Sequence, residues 1–190
     1  MKPLNLKKQN GFTLIELLVV IFIMVTLTSV FLVNFGNQSG PRSLNVAKNN
    51  LISNLRRMQS HAISSKDSTA GAPAKYYSLT LSSVVGSYGI YDLKTYNSTD
   101  VSTTLSTEQL IAPVIVKQIS VTRSDGVVVN PTNIEIFFSV PYGRILLTTS
   151  GGGAANTKIK DSVITVTLGR TDSTLTTTLV VNGVSGTITP

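Results

Sequence analysis

The strongest constraint on this chain is an apolar run near its start. From Leu14 to Val33 there is one charged residue, Glu16, and no glycine or proline. About 20 apolar residues rising roughly 1.5 Å each span the hydrocarbon core of a bilayer as a helix. Lys2, Lys7 and Lys8 precede the run with no acidic residue among them. Basic residues stay on the cytoplasmic side, so the N-terminus is expected in the cytoplasm and the chain from about Gly36 onward outside.

Three readings compete for this run. A secretory signal peptide needs a shorter apolar region and a small-residue cleavage site, and Val33-Asn34-Phe35 is a poor match to one. A plain transmembrane anchor fits the length but leaves Glu16 unexplained. A carboxylate at the centre of a hydrocarbon helix costs about 2.5–3.5 kcal/mol, and less near an end, so an acid there implies a function and a partner. The third reading supplies both.

Gly11-Phe12-Thr13-Leu14-Ile15-Glu16, after a short basic leader and ahead of an apolar helix, resembles the class III signal of type IV pilins and type II secretion pseudopilins. The resemblance implies cytoplasmic cleavage by a membrane aspartic protease, the prepilin peptidase, between Gly11 and Phe12, followed by N-methylation of Phe12. It also implies that Glu16, fifth in the mature chain, pairs with the N-terminal amine of a neighbouring subunit in a helical filament. Two charges that are costly alone in lipid then neutralise each other on assembly. Many relatives carry a proline within the apolar helix; Phe31-Leu32-Val33 has none.

The expected layout follows. Residues 1–11 form a cleaved leader, 12–35 a transmembrane and assembly helix, and 36–42 a flexible break containing Gly36, Gly40 and Pro41. Residues 43–65 form an amphipathic helix and 66–190 an extracytoplasmic β domain. In the second helix Leu44, Ala47, Leu51, Leu55, Met58 and Ala62 recur at intervals of three and four, with Ile52 and Ile63 widening the stripe. Ser43 is the expected N-cap, and Arg56 and Arg57 read as a solvated face.

Beyond Lys75 the period becomes two. Tyr77, Leu79 and Leu81 share one face, and Gly86-Ser87 divides this strand from Tyr88–Leu93. Thr95 to Thr107 is polar and reads as a long loop. A strand over 111–122 places Ile115, Ile119 and Val121 together, and Asp125-Gly126 signals a turn. Ile134, Ile136 and Phe138 point inward from the next strand, Pro141-Tyr142-Gly143 turns the chain, and strands follow over 144–149, 162–168, 175–181 and 184–189. About seven or eight short strands in two antiparallel sheets packed face to face are expected. The fold class is α+β: a long N-terminal hydrophobic helix, half transmembrane and half amphipathic, packed on an antiparallel, sandwich-like β domain. The stretches Leu51–Ile63, Phe138–Ile145 and Val181–Ile188 resemble the H-type (GspH/FimT-like) minor pseudopilins.

Catalytic signals are missing from the sequence. There is no cysteine, so thiol catalysis, disulfides and cysteine-metal sites are excluded. The single histidine, His61, has no second ligand beside it, and neither a metal nor a cofactor is expected. Asp67, Asp92, Asp100, Glu108, Asp125, Glu135, Asp161 and Asp172 are scattered, mostly beside turns. Gly151-Gly152-Gly153 lacks the Lys-Ser/Thr of a phosphate loop.

The net charge of +7 falls to +4 once the three leader lysines are removed, which is weak ground for nucleic-acid binding. The resemblance therefore implies a non-enzymatic minor pseudopilin or pilin in the inner membrane. Its partners would be prepilin peptidase, other pilins and an exported protein cargo. The alternative is a FimT-like minor pilin binding DNA for transformation, with Arg144, Lys158, Lys160 and Arg170 as the cations.

Overall fold

The computed structural model describes residues 12–64, 73–84, 89–149 and 159–190, with the side chains of 33–38 outside that description. The chain divides into two compact units, Met1–Ser39 and Gly40–Pro190.

One helix, α1 (Leu14–Ile63), contributes to both units. Over 36–42, where a flexible break is expected, the backbone is helical, with Pro41 inside α1. A proline removes one bond from the helical ladder, and it and the nearby glycines tax the helix by a few kcal/mol. The expectation counted that local cost alone. The unit boundary at Ser39/Gly40 nevertheless falls within the stretch.

In the first unit, Leu14–Leu32 forms a 19-residue span of mean hydropathy 2.6 with none of it buried. At about 1.5 Å per residue this is roughly 28 Å, close to the thickness of a bilayer core. The hydroxyls within the span bond back to its own carbonyls: Thr26 to Phe22 and Ile23 at 3.0 and 2.9 Å, Thr28 to Met24 at 2.7 Å, Ser29 to Val25 at 2.8 Å. Internal satisfaction of this kind lets polar side chains sit in an apolar helix.

In the second unit the C-terminal part of α1 supplies the core stripe. Leu44, Ala47, Leu51, Leu55, Met58 and Ala62 are each at most 3% exposed, and Ile52 joins them at 7%. Ile63, expected to widen the stripe, is 58% exposed. Ser43 lies inside the helix and is not its N-cap; its hydroxyl donates to the Gly40 carbonyl at 2.8 Å.

Ten strands follow: β1 (Ala74–Ser82), β2 (Ile90–Asn97), β3 (Ser102–Gln109), β4 (Val114–Thr122), β5 (Val128–Val129), β6 (Asn133–Ser139), β7 (Arg144–Thr148), β8 (Val163–Arg170), β9 (Thr176–Asn182) and β10 (Thr187–Thr189). They form two five-stranded antiparallel sheets, ordered β3-β2-β1-β6-β7 and β10-β9-β8-β4-β5. The stripe of α1 shares one core with the inward faces of both, including Tyr77, Leu79, Ile134, Ile136 and Phe138 from the first sheet and Ile119, Val121, Ile164, Val166 and Val181 from the second. Side chains of α1 also bond to each sheet. Asn54 donates to the Tyr91 hydroxyl at 2.7 Å, while Arg56 and Gln59 donate to the carbonyls of Ile188 and Gly186 at 3.1 and 3.0 Å. Arg56 is thus tied to β10 rather than simply solvated.

Among the described residues the strands number ten rather than seven or eight, and two further strand expectations change. The loop over 95–107 is the end of β2, a tight turn and most of β3, with Tyr96 opposite Ser102 and Asp92 opposite Thr107. Threonine favours strands, but on an edge strand with both faces largely wet no apolar alternation marks it. The turn is closed by the Asn97 side-chain carbonyl, which accepts from the amides of Thr99 and Val101. In β4 the buried residues are Val114, Val116, Ile119 and Val121, and Ile115 is outside the core. A bulge between Val116 and Gln118 inserts one residue, so the face changes partway along the strand.

Candidate functional site

The N-terminal end of α1 holds a reciprocal set of hydrogen bonds. The Glu16 carboxylate accepts from the Thr13 amide at 3.1 Å and from the Thr13 hydroxyl at 3.0 Å, and the Glu16 amide donates to that hydroxyl oxygen at 3.3 Å. Thr13 precedes the first helical residue and Glu16 is the third, so this is a capping box. The glutamate that looks partnerless in the sequence satisfies otherwise orphan donors at its own helix end, where negative charge is also favoured by the helix dipole. Thr13 is the residue the sequence reading missed, although Thr-x-x-Glu ahead of an apolar run is a recognisable signal. Phe12, next to it, is 82% exposed, and Gly11 lies outside the described residues.

Three carboxylates of the β domain serve local structure. Asp100 pairs with Lys75 at 3.1 Å, Asp92 accepts from the Thr107 hydroxyl at 2.7 Å, and Asp125 accepts from the Val127 amide at 3.0 Å. Among the described residues no three His, Asp or Glu side chains gather where a metal could bind.

Glu135 is the exception to surface placement. It is 3% exposed on the outward face of β6, and one of its oxygens accepts from the hydroxyls of Ser78 and Tyr96 at 2.7 and 2.8 Å. Burial, then Glu135 as acceptor and as a nearby negative charge, pushes the Tyr96 hydroxyl well above its ordinary pKa. Phe137, Tyr96 and Leu146 form a second apolar cluster on this face, with Tyr76 against it. The sequence carried a sign of this: Ile134-Glu135-Ile136-Phe137-Phe138 has apolar residues on both faces around the acid.

Of the four cations considered for DNA, only Arg144 and Lys160 line one cleft among the described residues. Lys158 lies outside the described residues. Arg170 makes a two-pronged pair with Asp172, at 2.7 and 2.6 Å, and donates to the Ser43 hydroxyl at 3.0 Å. The pairing holds the Asp172 carboxyl below, and the Arg170 guanidinium above, their usual ranges. Arg144 and Lys160 do come together, on an open cleft of about 720 Å³ that includes Tyr76, Ser139, Tyr142, Ile145, Asp161 and Val184. The Arg144 guanidinium lies 5.9 Å from the centre of the Tyr142 ring.

A family model, the prokaryotic N-terminal methylation motif, matches residues 6–32. That interval contains Gly11, Phe12, the Thr13–Glu16 box and the apolar span to Leu32. No curated protein and no solved structure matches the chain.

Proposed function

We propose that this chain is a non-enzymatic subunit of a pilus-like filament, either a type II secretion pseudopilus or a type IV pilus. In this reading prepilin peptidase cuts between Gly11 and Phe12, and Phe12 becomes the N-methylated N-terminus. The helix from Phe12 then serves twice, as a membrane anchor with its N-terminus cytoplasmic and as the packing element of the filament. Glu16 meets the Phe12 amine of a neighbouring subunit, which would replace the donors that Thr13 gives it within one chain. The β domain lies outside the inner membrane, where filament neighbours and exported proteins are its partners. A minor, H-type role is the finer form of this proposal.

The observation that carries it is the methylation motif over 6–32, which contains a span long and apolar enough to cross a bilayer. The capping box adds a physical reason for an acid at that position: it is useful in the lone chain and available for exchange on assembly.

Two substitutions test the proposal in the native host. Gly11→Ala should leave the chain at precursor size on electrophoresis, and Glu16→Ala should leave it in the membrane fraction but deplete it from sheared filaments. Normal processing of the first variant, or normal filament content of the second, would remove the corresponding step. The DNA-binding alternative is not carried further, because Arg170 is committed to Asp172 and only Arg144 and Lys160 share a surface among the described residues.

A further inference from the structure

The cleft beside β7 is where the first sheet ends. Leu147 exchanges both backbone hydrogen bonds with Ile159, its amide donating at 3.0 Å and its carbonyl accepting at 2.8 Å. Backbone groups of alternate residues in a strand point to the same side, so the N–H and C=O of Ile145 face the same way as those of Leu147, away from β6. A strand continuing from Ile159 in register would bring Asp161 opposite Ile145. Asp161 instead has φ of +54°, which turns the chain away, and the bridge stays a single pair. Among the described residues no strand pairs with that edge at Ile145, and the cleft lies beside it, with Ile145 as a whole 3% exposed.

The walls of that cleft are suited to a particular occupant. Arg144 and Lys160 are exposed and have no ion pair among the described residues, whereas Asp161 is the acid on the wall. Tyr142 and Val184 are 76% and 67% exposed, large apolar side chains at the rim of a polar cleft. Unpaired edge groups, two cations and an apolar rim together match an extended peptide with carboxylate side chains. Backbone bonds would supply affinity and the side-chain contacts selectivity.

We infer that β7 accepts an extended acidic segment of another protein as an added strand at Ile145, with Arg144 and Lys160 holding its carboxylates. The surface belongs to the β domain alone, so the inference stands whether or not the chain is processed at Gly11.

The test uses the full chain in detergent micelles and a capped peptide, Thr-Val-Asp-Val-Asp-Val-Thr, followed by backbone NMR and amide exchange. Saturable shifts at Arg144, Ile145 and Lys160 are expected, with new exchange protection at the Ile145 amide. The Leu147 amide, already bonded, should change little. The same peptide with Asn for Asp, and the double variant Arg144→Glu with Lys160→Glu, should each bind about tenfold or more weakly. Both substituted residues are exposed, so the variant should retain the native spectrum elsewhere. Absence of saturable shifts, equal binding of the Asn peptide, or binding without protection of Ile145 would overturn the inference. So would a short single-stranded DNA that displaces the peptide at equal concentration, since the cleft would then be an unselective anion surface.

Discussion

Replacing Thr13 with valine isolates the capping box, because valine keeps the β-branched shape and removes the hydroxyl. The hydroxyl makes two of the box's three hydrogen bonds, one donated to the Glu16 carboxylate and one accepted from the Glu16 amide. Loss of an N-cap hydroxyl costs about 0.5–2 kcal/mol, and the upper half of that range applies where water cannot replace the lost bonds. About 1–2 kcal/mol corresponds to a factor of roughly 5–30 in the local opening equilibrium. Amide exchange of the unprocessed chain in micelles reads this directly. Thr13→Val should speed exchange at the Glu16 amide by roughly 5–30-fold, while the amides of Val19 and Val20 are unchanged and Thr13→Ser restores most of the protection. Equal rates in all three proteins would refute the claim that Glu16 is held by its own helix end before assembly.

Two further predictions concern the β domain. Met58 is fully buried in the stripe, so Met58→Ala should destabilise the domain by about 2–5 kcal/mol in denaturant titration, against near-neutral Arg57→Ala on the exposed side of the helix. Tyr96 keeps its proton in the folded state to higher pH than in the unfolded state, where it ionises near 10. Its stabilising contribution is therefore whole below that pH and declines above it, by up to about 1.4 kcal/mol per pH unit. Tyr96→Phe should be less stable at neutral pH, by about 1–3 kcal/mol for the hydrogen bond lost to buried Glu135, and should show a shallower loss between pH 10 and 11. Parallel alkaline curves for the two proteins would contradict this.

Much of the architecture was legible because burial imposes a period. The stripe from Leu44 to Ala62 and the alternations through Tyr77–Leu81 and Ile134–Phe138 face the core as their spacing demands. Where burial does not impose a period, the reading failed. β3 is polar on an edge, so nothing in Ser102–Gln109 distinguishes it from a loop. The bulge in β4 changes face without a sequence mark, which misplaced Ile115. Around Pro41 the backbone is helical, which the proline and nearby glycines did not suggest, although the two units divide within the stretch where a break was expected. Glu135 escaped notice for a different reason. Its partners, Ser78 and Tyr96, lie on β1 and β2, and only the sheet order brings those strands within reach of it.

At the N-terminus the motif is legible in full, and the Thr13-x-x-Glu16 spacing within it also marks a helix cap, a partner for the acid that its cost in lipid alone does not reveal. The cleft beside β7 could not be read at all. Arg144 and Lys160 are 16 positions apart in sequence, and the bridge from Leu147 to Ile159 joins the segments that carry them.

The central claim is that this chain enters a filament through an N-terminus made by proteolysis. Intact-mass and N-terminal peptide mass spectrometry of the protein taken from its native host test that most directly. The account predicts a mature chain beginning at Phe12 and carrying one methyl group on its amine. A chain that still retains residues 1–11 would contradict it, and would leave a β domain tethered to the membrane with Glu16 serving only its own helix.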